Sequence, residues 1–384
     1  MRIGIEAQRL FRNHKHGMDR VALELIRNLQ IIDTKNEYFI FVKPDQDNTA
    51  IKQTANFKIV EIPGGPYPLW EQFKLPRIAK LYNCDILHCT SNTAPYSKKT
   101  PLITTLHDII YMEGSISKLL MSKASLYQKF GNLYRRIIVN KVVKNSKRLI
   151  TVSNFEKENI TNFFKLENKD IQTVHNGVNK TFKISIDANQ ISRVKTKYKL
   201  PENYVLHIAN KDPRKNTKKV LIAFKEYLKI TNSTQKLLML GCKKDDLKIM
   251  LKEIGAMEIY DHIFLTGYVS DEDLPIIYQL SDLFLFPSLR EGFGIPIIEA
   301  MACGTPVITS NTSSMPEVAG DAAYLINPNK TEEICQAILK IMSDNIFKKE
   351  LIKRGLKRSK QFTWNNTALK VLKQYKELYK EINS

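Results

Sequence analysis

The chain has 384 residues, 43% of them apolar, and carries 59 Lys and Arg against 39 Asp and Glu, a formal charge of +20. This length exceeds what one hydrophobic core serves and predicts two domains, while the short apolar runs exclude a membrane-spanning segment. A β-type run at Arg2–Glu6 in place of an apolar leader predicts no signal peptide, and five scattered cysteines (Cys84, Cys89, Cys242, Cys303, Cys335) with no C-x-x-C pair predict reduced thiols in a cytoplasm.

In chain order, the strand Arg2–Glu6 leads through the polar loop His14–Arg20 into a helix at Met18–Ile32. The apolar positions 18, 21, 22, 25, 26, 29 and 32 of that helix line one face. Strands follow at Tyr38–Val42, Phe57–Glu61, Asp85–Cys89, Leu102–Leu106, Arg148–Val152 and Ile171–Val174, with a long helix near 117–145. The turn-rich run His175–Asn179 and a polar segment to Pro201 separate these from a second series. Its strands are Tyr204–Ile208, Leu237–Leu240, His262–Thr266, Leu283–Phe286, Pro306–Thr309 and Ala323–Ile326. Short strands alternating with helices predict parallel sheets, hence an α/β chain of two doubly wound, Rossmann-like domains, 1–180 and 181–361, facing across a cleft. The amphipathic segment 362–384 lies too far past the last strand to extend the second sheet and is predicted to return to the first domain.

The segment SLREGFGIPIIEAMACG (288–304) carries the strongest chemical signal. It follows an apolar strand and enters a helix that Pro296 opens. A helix starting just past a strand end in such a sheet is an anion site, and Gly292 and Gly294 let the backbone N–H groups around Phe293 and Ile295 approach a phosphate. Glu291 before the helix and Glu299 within it then hold one ligand at two depths, unless they only solvate or cap the helix start. In HIANKDPRKN (207–216), Pro213 fixes a turn beyond a strand. Arg214 and Lys215 there either grip a diphosphate with one forked and one point cation or are solvated surface. TLHDI (105–109) places His107 and Asp108 past another strand, as a structural pair or at a reaction centre. No residues cluster at metal-ligand spacing, and no nucleophile sits with a general acid about 5 Å away as a retaining glycosidase requires.

Residues 265–328, which contain GYVSDEDL, EGFGIPIIE and SSMPEVAG, resemble the E-x7-E region of glycosyltransferase family 4, and the similarity runs over nearly the whole chain. The resemblance implies a GT-B fold and retaining transfer from a nucleotide sugar, with no metal and no further cofactor. It implies that Glu291 contacts the donor sugar, Glu299 the ribose, the backbone at Val269 the nucleobase, and Arg214 with Lys215 the pyrophosphate. Asp212 replaces the family's glutamate, and Ala209 or Asn210 stands where many relatives carry another arginine. His107 matches the family's reaction-centre histidine, with Asp108 near the acceptor or holding the loop. HKHGMDR (14–20) keeps Gly17 of a two-glycine loop that approaches the donor phosphate, but has Asp19 at the second position. Either the loop stands further off or Asp19 faces the acceptor. PYPLWEQFKLP (66–76) resembles a segment in the acceptor half of mannosyltransferase-like members, which implies acceptor-side roles for Trp70 and Glu71; a core role for Trp70 is the alternative.

The implied function is transfer of a hexose to a glycan or lipid-linked acceptor in surface polysaccharide or O-antigen-type synthesis, with GDP-mannose as donor and a UDP-sugar as the other choice. A nucleotide-sugar epimerase or phosphorylase on the same architecture is the competing reading. Nucleic-acid binding would need a recognised module or an aromatic stacking platform, which the chain lacks. The charge excess is spread, with 28 basic against 16 acidic residues in 1–180 and 31 against 23 in the remainder. From Gly114 to Phe155 there is no acidic residue, and the lysines and arginines there, Lys118 to Arg148, either are simply solvated or dock a cytoplasmic enzyme on the anionic inner face of the membrane.

Overall fold

Near-continuous apolar runs make strands that are buried on both faces, the mark of parallel sheets covered by crossover helices. The computed structural model of the protein describes residues 1–114, 126–167 and 170–384, apart from the side chains of 126–128. Its strands are β1 (Arg2–Glu6), β2 (Glu37–Val42), β3 (Phe57–Glu61), β4 (Ile86–Cys89), β5 (Leu102–Leu106), β6 (Arg148–Thr151) and β7 (Ile171–Thr173), followed by a second set. That set is β8 (Tyr204–Ile208), β9 (Lys236–Leu240), β10 (Ile263–Leu265), β11 (Leu283–Phe286), β12 (Val307–Ser310) and β13 (Tyr324–Ile326). The chain divides into two units, Met1–Gly177 with Trp364–Ser384, and Val178–Thr363.

In the first unit seven parallel strands run in the order β3-β2-β1-β4-β5-β6-β7. Alternation along β2 sends Tyr38, Ile40 and Val42 to one face, where they meet Leu25, Ile26 and Leu29 of the helix Gly17–Ile32 and Val371, Leu372 and Tyr375 of the helix Trp364–Asn383. Phe39 and Phe41 go to the other face, under Trp70, Leu75, Ile138 and Val142. Gly4 of β1 is required by this packing, because a Cβ there would lie 2.6 Å from the Phe41 ring.

The carboxyl-terminal helix is bound to this unit by polar contacts as well. Tyr375 Oη lies 2.6 Å from His88 Nδ1 in the core, and Arg148 pairs with Glu377 at 3.2 Å and Glu381 at 2.6 Å. Its amphipathic spacing is what allows this, since Ala368, Val371, Leu372, Tyr375 and Leu378 fall on one stripe.

The second unit has six parallel strands in the order β10-β9-β8-β11-β12-β13. Val205, Met239, Leu285 and Ile308 project from it into one core with Phe224, Leu251 and Ile338 of the covering helices. Both sheets reverse strand order once, between β1 and β4 in the first unit and between β8 and β11 in the second. The carboxyl ends of strands at such a reversal form the crevice where open α/β sheets bind ligands.

Candidate functional site

In the second unit the reversal brings together the loops after β8 and β11. Beyond β8, Asp212 caps a short 3-10 turn, Pro213–Lys215, by accepting from the Arg214 N–H at 3.0 Å. Asn216, left-handed at φ +60°, donates its side-chain amide to Pro287 O at 3.0 Å and Pro328 O at 2.7 Å, and Leu289 N–H donates to Arg214 O at 2.7 Å. The two loops are thereby stitched to each other. Lys215 Nζ reaches Glu291 Oε1 at 2.7 Å and lies 5.1 Å from the centre of the Phe286 ring. Arg214 Nε meets Asp212 at 3.0 Å. Burial alone would raise the Asp212 carboxyl, but the bonds from Arg214 outweigh it and hold it below the usual carboxylate range.

The helix after β11 is Ile295–Ala302, entered from Gly294 at φ +103°. A side chain at 294 would be strained in this conformation and would meet Ile297 at 3.1 Å, so glycine is demanded at the helix start. Gly292 and Phe293 complete the loop, and the Phe293 ring turns inward, 5.6 Å from that of Phe362, while its carbonyl accepts from Ser314 Oγ at 2.9 Å. Glu299 lies on the second turn, where the hydroxyl of the buried Tyr278 donates to it at 3.2 Å. Val269 sits on the loop after β10. That loop is tied down by Asp273, which is buried and bound by Arg193 at 2.6 Å, Lys197 at 2.7 Å and Tyr198 at 2.9 Å.

In the first unit, the reversal gathers Glu6 at the end of β1, Thr90 to Thr93 after β4, and His107 after β5. His107 is buried; its N–H donates to Asn92 Oδ1 at 2.6 Å and its Nε2 lies 2.8 Å from the Thr90 carbonyl. A carbonyl can only accept, so Nε2 carries the proton and Nδ1 is left as an acceptor. Burial lowers the His107 pKa more than the Thr90 bond and Asp108 raise it, so the ring is neutral at neutral pH. Asp108 accepts from the Ile110 N–H at 3.1 Å and so starts the short helix Ile110–Glu113.

Asp19 is buried. It bonds the His16 N–H at 3.1 Å as a helix cap and pairs with Arg9 at 3.1 Å, while Gly17 beside it faces open space. Trp70 is a core residue with no exposed surface, its indole N–H donating to Ile62 O at 2.9 Å. A π-helical turn, Trp70–Lys74, widens the backbone enough for Trp70 and Glu71 both to point inward. Glu71 accepts from Tyr67 at 2.6 Å, from Gln72 at 3.0 Å, and from Thr93 and Tyr134. Burial raises its pKa despite these bonds.

Sequence reasoning missed Glu6. It is fully buried, one carboxylate oxygen accepts from Gln8 N–H at 3.0 Å, and the other has no hydrogen-bond partner among the described residues. Burial drives its pKa up to about 7, the neighbouring Glu71 adding to the rise and Gln8 N–H and Arg9 opposing it. The available signal was an acidic residue closing an otherwise apolar strand at a sheet reversal. Ser313 and Ser314 were missed too; both reach back to the loop at Glu291.

Residues 16–182 match the family described as Glycosyltransferase Family 4, and residues 188–358 match the one described as Glycosyl transferases group 1. The O-antigen chain mannosyltransferase B of Escherichia coli is 30% identical over 94% of this chain and 96% of its own length. The O-antigen chain mannosyltransferase RfbU of Salmonella typhimurium is 28% identical over 72% of this chain and 69% of its own length. In fold, the chain is similar to Anabaena HepE, solved in complex with UDP and glucose, with a TM-score of 0.72 at 17% identity over 98% of this chain and all of that one. With two Rossmann-like units of the GT-B type, matches in both halves and a relative aligned along almost its full length, the chain belongs to the family 4 glycosyltransferases.

Proposed function

We propose that the protein is a retaining, metal-independent hexosyltransferase that moves mannose from GDP-mannose to a glycan or lipid-linked glycan acceptor in O-antigen-type surface polysaccharide synthesis. The observation that carries this reading is the Lys215–Glu291 pair at the β8/β11 reversal, beside a glycine-led helix start. Lys215 and Arg214 stabilise the departing diphosphate, Glu291 holds the sugar, Glu299 accepts from the ribose hydroxyls, and the backbone at Val269 meets the base. As the sugar C1–O bond to the diphosphate breaks, its electron pair leaves with the nucleoside diphosphate. The acceptor oxygen bonds C1 from the same face, and its proton passes to the leaving phosphate oxygen. No cofactor is needed beyond the nucleotide sugar. His107, through Nδ1, accepts from a hydroxyl of the transferred sugar, and the acceptor is met near Asp108 on the same loop. Mannose is favoured over other hexoses by the names of the relatives.

A thermal-shift panel of nucleotide sugars tests the donor. GDP-mannose at about a hundred times its Kd adds about 2.7 kcal/mol of apparent stability, and UDP-sugars add less. A panel in which UDP-hexoses alone stabilise the protein would overturn the donor, and turnover of GDP-mannose to another sugar nucleotide without acceptor would indicate an epimerase.

The acceptor is lipid-linked in this reading, and the helix Leu126–Asn145 supports docking on an anionic bilayer. Phe130 (61% exposed), Leu133 (38%) and Ile137 (54%) form an apolar stripe at i, i+3, i+7 with Lys129 and Arg136 beside them, which the purely solvated-lysine reading does not account for. Lys118, Lys123, Leu119 and Leu120 lie outside the described residues. No helix among the described residues is long and apolar enough to cross a membrane. Binding to anionic vesicles that weakens with salt is expected; equal binding to neutral and anionic vesicles rules the surface out.

A further inference from the structure

The turn after β12 holds a serine in a conformation that suits glycine. Ser313 has φ +59°, in the left-handed region where a Cβ crowds the backbone. Its hydroxyl is fully used. It donates to the Glu291 carbonyl at 2.6 Å and accepts from the Glu291 N–H at 3.1 Å and from Arg290 Nη1 at 3.1 Å. One donor and two acceptor positions are all that a hydroxyl offers. The same carbonyl also receives Ser314 Oγ at 3.0 Å and Arg290 Nη1 at 2.9 Å. The backbone of Glu291 is therefore gripped on both its N–H and its C=O by a turn 22 residues downstream. Glycine at 313 would relax the turn and lose every bond that the hydroxyl makes. Strain kept at a position with this bonding identifies the hydroxyl as what the site needs.

We infer that Ser313 is a positioning residue of the transfer reaction: it locks the backbone of Glu291 so that the carboxylate is aimed at Lys215 and at the donor sugar. The inference rests on the reading of Glu291 as a sugar contact. From a locked Cα, the Glu291 side chain needs only its own torsions set, and Lys215 Nζ at 2.7 Å sets them. Released at the backbone, the same side chain pivots about the loop, and the carboxylate moves relative to the sugar although its partner lysine is unchanged. The Glu291 loop and the Ser313 turn follow the adjacent strands β11 and β12, so the clamp is part of the sheet's own edge.

Ser313→Gly separates the two properties of the residue, because it keeps the backbone shape and deletes the hydroxyl. The expected protein melts at or above the wild-type temperature and binds free GDP and UDP as wild type does. Its kcat for releasing nucleoside diphosphate is lower by roughly ten- to hundredfold, measured on whichever of GDP-mannose and the UDP-hexoses the wild type turns over. Ser313→Ala, which keeps the strain and lacks the hydroxyl, shows the same loss of kcat with a lower melting temperature. A Ser313→Gly enzyme with wild-type kcat overturns the inference. If that variant melts early, kcat per nucleotide-binding site below its transition decides the matter in the same way. Glu291→Gln tells the two failures apart: wild-type turnover there removes the reading of Glu291 itself, whereas a slow Glu291→Gln beside a fast Ser313→Gly removes only the role of Ser313.

Discussion

Lys215→Ala lowers the rate of sugar transfer by about 10²–10³-fold while the protein stays folded. The magnitude follows from where the charge sits. The Lys215 and Glu291 side chains are 22% and 17% exposed, so the cation works in a partly dried crevice where solvent screens it weakly. It stands past the end of β8 at the sheet reversal, next to Arg214, and under the proposed function the departing diphosphate loses a partly buried counter-charge when the ammonium is removed. Arg214 compensates only in part, because its guanidinium is shared with Asp212. Lys215→Arg recovers little, since a guanidinium is larger than the ammonium that sits 2.7 Å from Glu291 and carries its charge over a broader plane. The measurement is kcat for nucleoside diphosphate release, together with the melting temperature. Wild-type turnover in a folded Lys215→Ala protein would dismiss the assignment of this crevice to the donor diphosphate.

Glu6→Gln stabilises the protein by about 3 kcal/mol at pH 8 and leaves it unchanged near pH 4. The folded-state pKa of Glu6 is about 7, above the ordinary 4.5, chiefly because of burial. Between those values the native protein holds a proton that the unfolded chain has released. The favourable contribution of this group is thus fully present below pH 4.5 and is lost as pH rises through about 7, at about 1.4 kcal/mol per pH unit. Glutamine keeps the acceptor for the Gln8 N–H and never ionises. Three buried histidines act in the opposite sense. His88 is held down to about pKa 3, His207 to about 4, and His107 below its usual value, each chiefly by burial, so all three remove stability as pH falls below 6.5. They are common to both proteins, and the difference between variant and wild type isolates Glu6. Urea midpoints from pH 4 to pH 8 give that difference, and two parallel profiles would show that Glu6 ionises freely in the fold.

Both expectations concern side chains at a strand end, yet only one of them was visible in advance. Lys215 and Glu291 sit in local runs, DPRKN and EGFGIPIIE, whose glycines, proline and charges carry their meaning within a few positions. Glu6 sits at the end of an unremarkable strand, and its chemistry arises from what the sheet places around it: Gln8, Arg9, Thr90 and Glu71. Trp70 and Glu71 show the same division within one motif. Their identity pointed to an acceptor segment, but a π-helical turn turns both inward, and nothing in a 3.6-residue pattern announces that turn. Asp19 stood out for replacing a glycine, and its role as cap and partner of Arg9 depends on a contact with a residue ten positions earlier, outside the helix.

By itself the sequence determined the strands seen among the described residues, the two parallel sheets and the glycine-led helix start after β11, because each is written in contacts between near neighbours. Period-two and period-3.6 patterns, a proline at a helix start and a glycine at a left-handed position act over a single turn or strand. Only the tertiary structure decided which carboxylates are buried, that Lys215 meets Glu291 across 76 residues, and that Ser313 grips the Glu291 backbone from the turn after the neighbouring strand. These depend on strand order and burial, and therefore on desolvation and long-range hydrogen bonds that no local pattern encodes.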